Sequence, residues 1–236
     1  MPKIVLKSKI TNDNYTEYLY DNYDIQNREE TTTEVPILSE EDKDIINKND
    51  WNIFLILGKS GSGKSTILNS MGGATPIKYD HDKAVISQFP KYTEKEACEL
   101  LCGVGLSSVP TWLRKPSELS NGERARLDLC KALYGAGNGL TANIDEFTSV
   151  VNRDVAKSMS FALQRYVREK NLRVVIASCH FDIIEWLQPD YIFNLNHKDE
   201  EENVELEKME YEDDMDYHSH QSVKDEDTLT EPIEIN

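Results

Sequence analysis

Residues 53–65 constrain this chain more than any other stretch. Ile53-Phe54-Leu55-Ile56-Leu57 is an unbroken apolar run, as a strand buried on both faces requires, and it leads directly into Gly58-Lys59-Ser60-Gly61-Ser62-Gly63-Lys64-Ser65. From Ser65 and Thr66 the sequence opens a helix toward Met71. A buried strand, a glycine-rich loop and a helix in succession call for a parallel sheet with helices on both faces, because that layering hides such a strand from water on either side.

The rest of the chain alternates in the same way. Lys3 to Ile10 reads as a first strand, and a tyrosine-rich polar stretch through Thr33 gives no clear assignment. Ala84-Val85-Ile86 reads as a brief strand before Gln88. Thr93 with Glu96 three residues on is a capping box, which starts a helix ending near Gly103. A further helix begins at Ser120, a good N-cap, and runs to about Tyr134, after which glycines 135, 137 and 139 break the chain. Leu140–Ile144 is a strand of mixed character, with Thr141 and Asn143 among apolar neighbours. A long helix from about Val155 to Lys170 and the strand Arg173–Ser178 follow. The fold class expected is α/β with a mostly parallel core sheet, and there is no internal repeat.

Charge divides the 236 residues unevenly. Residues 198–236 hold 16 Asp and Glu against three Lys, a net of −13, so residues 1–197 carry only −4 of the chain's −17. The expected organisation is one domain over 1–197, with a helical subdomain at about 89–134, and an acidic tail over 198–236 too poor in apolar residues to offset its ordering entropy. The tail reads as a solubilising appendage or, equally, as an interaction arm or nucleic-acid mimic. Cys98, Cys102, Cys130 and Cys179 lack disulfide or zinc spacing and read as reduced core thiols, with a Cys98–Cys102 metal pair the weaker alternative; His218 and His220 are equally weak as ligands. The N-terminus lacks a signal-peptide apolar region, and no stretch approaches the roughly 18 apolar residues of a membrane span. A cytoplasmic location is the expectation.

The glycine-rich loop fits the pattern G-x-x-x-x-G-K-[ST], which cradles phosphates. Backbone N–H groups and the helix N-terminus around Thr66 face the anion, Lys64 spans the β- and γ-phosphates, and Ser65 ligates magnesium. Asp145-Glu146 supplies two carboxylates: one to hold the metal, the other to polarise an attacking water. Taken alone, the polar strand before it fits a loop with two surface acids equally well.

Leu119-Ser120-Asn121-Gly122-Glu123, followed by Arg126, resembles the LSGGE/Q signature of ABC-type ATPases, and it precedes Asp145-Glu146 by a typical interval. Gln88 resembles that family's Q-loop glutamine, Ser149-Val150-Val151-Asn152 its D-loop, and His180 its switch histidine. The resemblance spans about Ile53 to Leu195. It implies a P-loop NTPase of the ABC class that binds ATP and Mg2+ and closes as a head-to-tail homodimer. Each ATP would be held by Gly58 to Thr66 of one subunit and by Ser120, Asn121, Gly122 and Glu123 of the other. Ser65, Gln88 and Asp145 would serve the metal, and Glu146, Gln88 and His180 the hydrolysis. The family also stacks adenine on an aromatic upstream of the phosphate loop; Tyr23 is the candidate, with Tyr20 second.

Two longer stretches, 145–153 and 178–190, resemble bacterial and phage ABC-type ATPases often joined to a GNAT-type acetyltransferase domain. Asn152 stands where aspartate is usual, Asn121 replaces a signature glycine, and the acetyltransferase portion has no counterpart here. Only 30 residues separate Gln88 from the signature. That segment is smaller than the helical subdomain of transporter ATPases and far smaller than a chromosome-maintenance coiled coil. Trp112 and Arg114 within it read as a partner contact or, more simply, as a buried ring beside a solvated cation. Arg153, Lys157, Arg165 and Arg168 form either a nucleic-acid stripe or a solvated helix face, and the weak charge of 1–197 favours the latter. The function expected is an ATPase acting on a soluble partner, such as a separate acetyltransferase-like protein, or on nucleic acid. The alternatives are an ATP-dependent dimerisation switch with little turnover and, third, a transporter subunit.

Overall fold

The structure is a computed structural model and describes residues 2–26, 28–48, 50–137, 140–195 and 206–211. Its core is a five-stranded sheet in the order β4-β5-β3-β6-β7, formed by β3 (Ile53–Leu57), β4 (Thr141–Ile144), β5 (Arg173–Ser178), β6 (Tyr191–Asn194) and β7 (Leu206–Lys208). The first four strands of that order are mutually parallel, and β7 runs antiparallel on β6. Central β3 has every residue buried, which explains its purely apolar sequence.

Helices cover both faces. One face packs α4 (Glu94–Gly103), α6 (Asn121–Ala136) and α7 (Arg153–Glu169) over Leu55, Leu127, Leu163 and Ile176. The other packs α2 (Glu40–Asn47) and α3 (Lys64–Ser70) over Phe54, Ile56, Val175 and Phe193. A separate antiparallel pair, β1 (Lys3–Lys9) and β2 (Glu30–Pro36), stands outside the main sheet, with α1 (Asn14–Asn22) between them in sequence. The unassigned tyrosine-rich stretch is thus α1 and the start of β2. Its capping box, Asp13 with Thr16, lacks the Glu or Gln that marks such boxes in a sequence.

Two expectations change. Ala84–Ile86 is no strand: Val85–Gln88 is a 3-10 turn, tied to the segment after α5 (Val109–Trp112) by the Val85 N–H to Arg114 carbonyl bond of 2.9 Å. The acidic stretch from residue 198 is not all tail, since Leu206–Lys208 adds a strand to the sheet and Tyr211 donates to the Pro189 carbonyl at 3.1 Å. Residues 196–205 and 212–236, with His218 and His220, lie outside the described residues.

The mixed character of β4 has a structural cause. It is an edge strand, and Asn143, 7% exposed, reaches the turn after α3: its Nδ2 donates to the Met71 carbonyl at 3.0 Å and the Gly73 carbonyl at 2.8 Å. Its backbone N–H donates to Thr75 Oγ1, and its carbonyl accepts from the Thr75 N–H, both at 2.8 Å. A polar side chain here ties the turn to the strand through two carbonyls, which an apolar one could not do.

Candidate active site

The parallel strands point their C-terminal ends at one rim, where loops carry ligand chemistry in open α/β sheets. A cavity of about 400 Å3 opens there, and Ser60, Gly61, Gly63, Lys64, Ser65 and Thr66 form its floor. The loop has this shape because its glycines are required. A Cβ on Gly58 would stand 2.3 Å from Ser62 Oγ and 2.9 Å from Leu195 Cβ, while Gly63 has φ +101° and its Cβ would lie 2.3 Å from Val35 Cγ1. Gly63 also starts α3, so the helix N-terminus and its unpaired N–H groups face the cavity. Lys64 Nζ donates to the carbonyls of Gly58 at 2.8 Å and Lys59 at 2.9 Å, curling over the loop.

Asp145 and Glu146 follow β4 and line the same cavity. Ser65 Oγ donates to Asp145 Oδ2 at 2.7 Å, and the Glu146 N–H donates to Asp145 Oδ1 at 2.9 Å. A hydroxyl and a carboxylate in contact beside a phosphate loop are oxygen donors suited to Mg2+, which takes few protein ligands and keeps several waters. Glu146 is exposed to the cavity, with φ +51°, and Thr148 has φ +67°. This strained turn is clamped from both sides of Phe147: its N–H donates to the Ala177 carbonyl and its carbonyl accepts from Ser178 Oγ, each at 3.0 Å. Backbone strain of this kind persists only where surrounding bonds over-determine it.

His180 follows β5, half-buried, with Nδ1 3.0 Å from Thr148 Oγ1. Burial and the nearby Arg153 guanidinium hold its pKa below the ordinary histidine value, with Asp182 acting in the opposite sense. Arg153 is itself paired to Asp182 through Nε at 2.8 Å and through Nη2. His180 therefore sits one hydroxyl away from the Glu146 turn rather than in the cavity wall, which Cys179 supplies instead.

Two candidates are not brought to the cavity. Gln88 is 3% exposed, its Oε1 accepts the Asp80 N–H at 3.0 Å, and its Nε2 donates to the carbonyls of Asp80 at 2.8 Å and Lys83 at 3.1 Å. Its amide is saturated by the 80–84 loop, so in this arrangement Gln88 is a loop clamp and touches neither metal nor phosphate position. Tyr23 is the C-terminal cap of α1, 57% exposed, and does not line the cavity; neither does Tyr20. The wall above the phosphate loop comes instead from β1 and β2: Leu6, Lys7, Ser8, Thr31, Thr33 and Val35. The sequence marks β1 as a strand but not its place in this wall, because an exposed strand pair carries no motif.

The signature residues lie elsewhere. Ser120 caps α6, and Glu123 closes the box by accepting from the Ser120 N–H and Oγ, both at 2.8 Å, which hold its carboxyl below the usual range. Asn121 and Gly122 open that helix, and none of the four lines the phosphate cavity. Asn152 caps α7 through its Oδ1, which accepts the Val155 N–H at 2.9 Å, a bond that aspartate would make equally well.

Trp112, Arg114 and three residues of the basic stripe find partners within the chain. Trp112 is buried and donates Nε1–H to the Leu106 carbonyl at 2.6 Å, while Arg114 pairs with Glu123 at 3.5 Å. In the basic stripe, Arg153 pairs with Asp182, Lys157 lies 5.8 Å from the Trp186 ring centre, and Arg168 pairs with Asp190 at 3.1 Å. All four cysteines are free thiols, and Cys102, expected in the core, is exposed. Among the described residues no group of three or more His, Cys, Asp or Glu could hold a metal, and no helix is long and apolar enough to cross a membrane.

No model of a known protein family matches the chain, and no curated protein matches it. Solved structures do. The ATP-binding cassette MJ0796, in a dimeric post-hydrolysis state bound to ADP and Pi, is 18% identical over 68% of this chain and 86% of its own, with a TM-score of 0.50. A metal-chelate type ABC transporter in an inward-facing conformation is 16% identical over 66% and 72%, with a TM-score of 0.51. The chain has the fold of an ABC ATPase cassette, a P-loop NTPase architecture with a mostly parallel sheet.

Proposed function

We propose that the protein is an ATPase that binds Mg-ATP on the Gly58–Thr66 loop, hydrolyses it, and forms each complete site from two subunits. The observation that carries this reading is the 2.7 Å contact between Ser65 and Asp145 on the cavity floor with Glu146 beside it. Residues 80 positions apart converge there as a hydroxyl, a carboxylate and a second carboxylate over a phosphate cradle. ATP would bring the triphosphate, and Mg2+ would offset its charge from Ser65 and Asp145. Lys64 would leave the loop carbonyls for phosphate oxygens, and Glu146 would orient the attacking water.

Dimerisation is supported by the position of the α6 N-terminus. Ser120 to Glu123 present helix-end N–H groups outside their own chain's cavity, where they suit the γ-phosphate of a second copy. Steady-state phosphate release and size-exclusion chromatography of wild type and Glu146→Gln test the whole reading. Wild type should turn over at a rate per subunit that rises with protein concentration. The variant should lose turnover and elute as a dimer with ATP and magnesium. Equal turnover in both proteins would remove Glu146 from its role, and a monomeric variant under those conditions would remove the two-copy site.

A further inference from the structure

We propose that Thr148 is a positioning residue for hydrolysis: its hydroxyl donates to His180 Nδ1 and so keeps Nε2 as an N–H donor for the terminal phosphate. This rests on the ATPase reading above. Thr148 is 4% exposed and has φ +67°, a left-handed backbone that a β-branched side chain adopts only under strain. Glycine or asparagine would hold the turn more easily, so the turn itself gives no reason for a threonine; its hydroxyl does. Oγ1 lies 3.0 Å from His180 Nδ1, and among the described residues this is the one hydrogen bond the hydroxyl makes.

The direction of that bond follows from counting protons. A neutral imidazole has one nitrogen that donates and one that accepts, and a hydroxyl has one proton to give. If Nδ1–H donated to Oγ1, the hydroxyl proton would be buried with no acceptor, which costs more than the bond returns. The hydroxyl is therefore the donor, Nδ1 the acceptor, and the ring proton sits on Nε2, because the bond at one ring nitrogen fixes the state of the other. Burial and Arg153 keep the ring neutral, with Asp182 opposing them. A second link holds ring and turn in register: Ser178 Oγ donates to the Phe147 carbonyl at 3.0 Å and accepts the His180 N–H at 3.2 Å. Cys179 lines the phosphate cavity beside His180, as do Glu146 and Ser149, which flank Phe147 and Thr148, so the pair spans the cavity's margin. A fixed N–H donor there suits phosphate oxygens, whose negative charge must be held as the attacking water adds. It cannot also take a proton through Nε2, which leaves that task to Glu146.

The test pairs NMR of the imidazole nitrogens with steady-state kinetics on the full chain, as wild type, Thr148→Val, Thr148→Ala and Thr148→Ser, with His180→Gln to assign the resonances. At about pH 8, where an ordinary histidine is neutral, wild type should show Nε2 protonated and Nδ1 bare. In Thr148→Val the Nδ1 resonance should shift, as an acceptor nitrogen's does on losing its donor. Its kcat for ATP with magnesium should fall about fivefold to tenfold, the worth of one neutral hydrogen bond, with KM unchanged within about twofold. Thr148→Ser keeps the hydroxyl and should match wild type in both readouts. Thr148→Ala, less crowded in a left-handed backbone, should behave as Thr148→Val does and takes its place if that variant does not fold. A wild-type ring proton on Nδ1, an unmoved Nδ1 resonance or an unchanged kcat without the hydroxyl, or a loss in Thr148→Ser equal to that in Thr148→Val overturns the inference and leaves the ATPase reading intact. If wild type releases no phosphate from ATP, the ATPase reading itself fails, and the positioning role falls with it whatever the tautomer.

Discussion

The contact between Gly63 and Val35 ties the phosphate loop to the β1–β2 wall, and a double-mutant cycle can measure it. Alanine at Gly61 or Gly63 must adopt a left-handed backbone, φ +75° and +101°, at a cost of about 1–2 kcal/mol each. The two sites differ in their surroundings. A Cβ at Gly61 meets nothing within 4 Å, whereas at Gly63 it meets Val35 Cγ1 at 2.3 Å, more than 1 Å inside ordinary contact, on a side chain only 4% exposed. Overpacking adds about 1–3 kcal/mol, so Gly63→Ala should cost about 3 kcal/mol and Gly61→Ala about 1. For a domain of this size these correspond to drops in Tm of roughly 6–12 °C and 2–4 °C.

Val35→Ala removes the clashing methyl and leaves Val35 Cβ at 3.4 Å, a normal contact. Alone it should cost about 2 kcal/mol in lost burial. The double variant should therefore be more stable than the sum of the singles by about 1.5–2 kcal/mol. The assay is calorimetric or fluorescence-detected melting of the four proteins. Additivity within about 0.5 kcal/mol would refute the claim that the loop is seated against Val35.

Two further perturbations probe the rim and the edge of the sheet. Asn143→Ala removes both bonds to the turn after α3 and should cost about 2–3 kcal/mol; Asn143→Asp should be worse, since it turns a carboxylate toward two carbonyls, and urea midpoints that reverse this order would contradict the assignment. Because His180 is held below its ordinary pKa, the unfolded chain takes up that proton first on acidification; its contribution to stability is complete above about pH 6.5 and is lost as pH falls through the depressed value. Arg153→Ala, which removes a cation and releases Asp182, should raise the His180 pKa in an NMR titration, and an unchanged value would show that burial alone sets it.

The residues on the cavity floor were legible in the sequence, and much of what surrounds them was not. Gly58 to Thr66 and Asp145-Glu146 were legible as a phosphate-loop pattern and a carboxylate pair in contiguous runs, and β3 and the Val174–Ala177 stretch of β5 were legible because full burial leaves them no polar position. The partners of Gln88 were not legible, because a motif gives a position in the chain whereas the carbonyls of the 80–84 loop that its amide binds are brought to it by the fold. The place of Tyr23 was not legible for a related reason: its position before Asp24-Ile25 does not say that it ends α1 away from the residues lining this cavity. Of the β1–β2 wall only the first strand was legible, as the run Lys3 to Ile10; its pairing and its place over the loop left no trace, since Leu6, Ser8, Thr31 and Thr33 are exposed and face no packing constraint that would pattern them. Asn143 looked like a defect in a buried strand until the strand proved to be at an edge.

That edge bears on how the protein stays dispersed. A terminal strand of a sheet displays unpaired backbone groups to which a strand from another molecule can add, and proteins that leave such a row open tend to aggregate. Here the row beside β4 is occupied at Asn143 by Thr75, through its backbone and its hydroxyl, and the Asn143 amide holds the Met71–Gly73 turn in place. Loosening this short loop would uncover a sticky border next to Asp145, so damage there would show as self-association and lost solubility before the core itself melts.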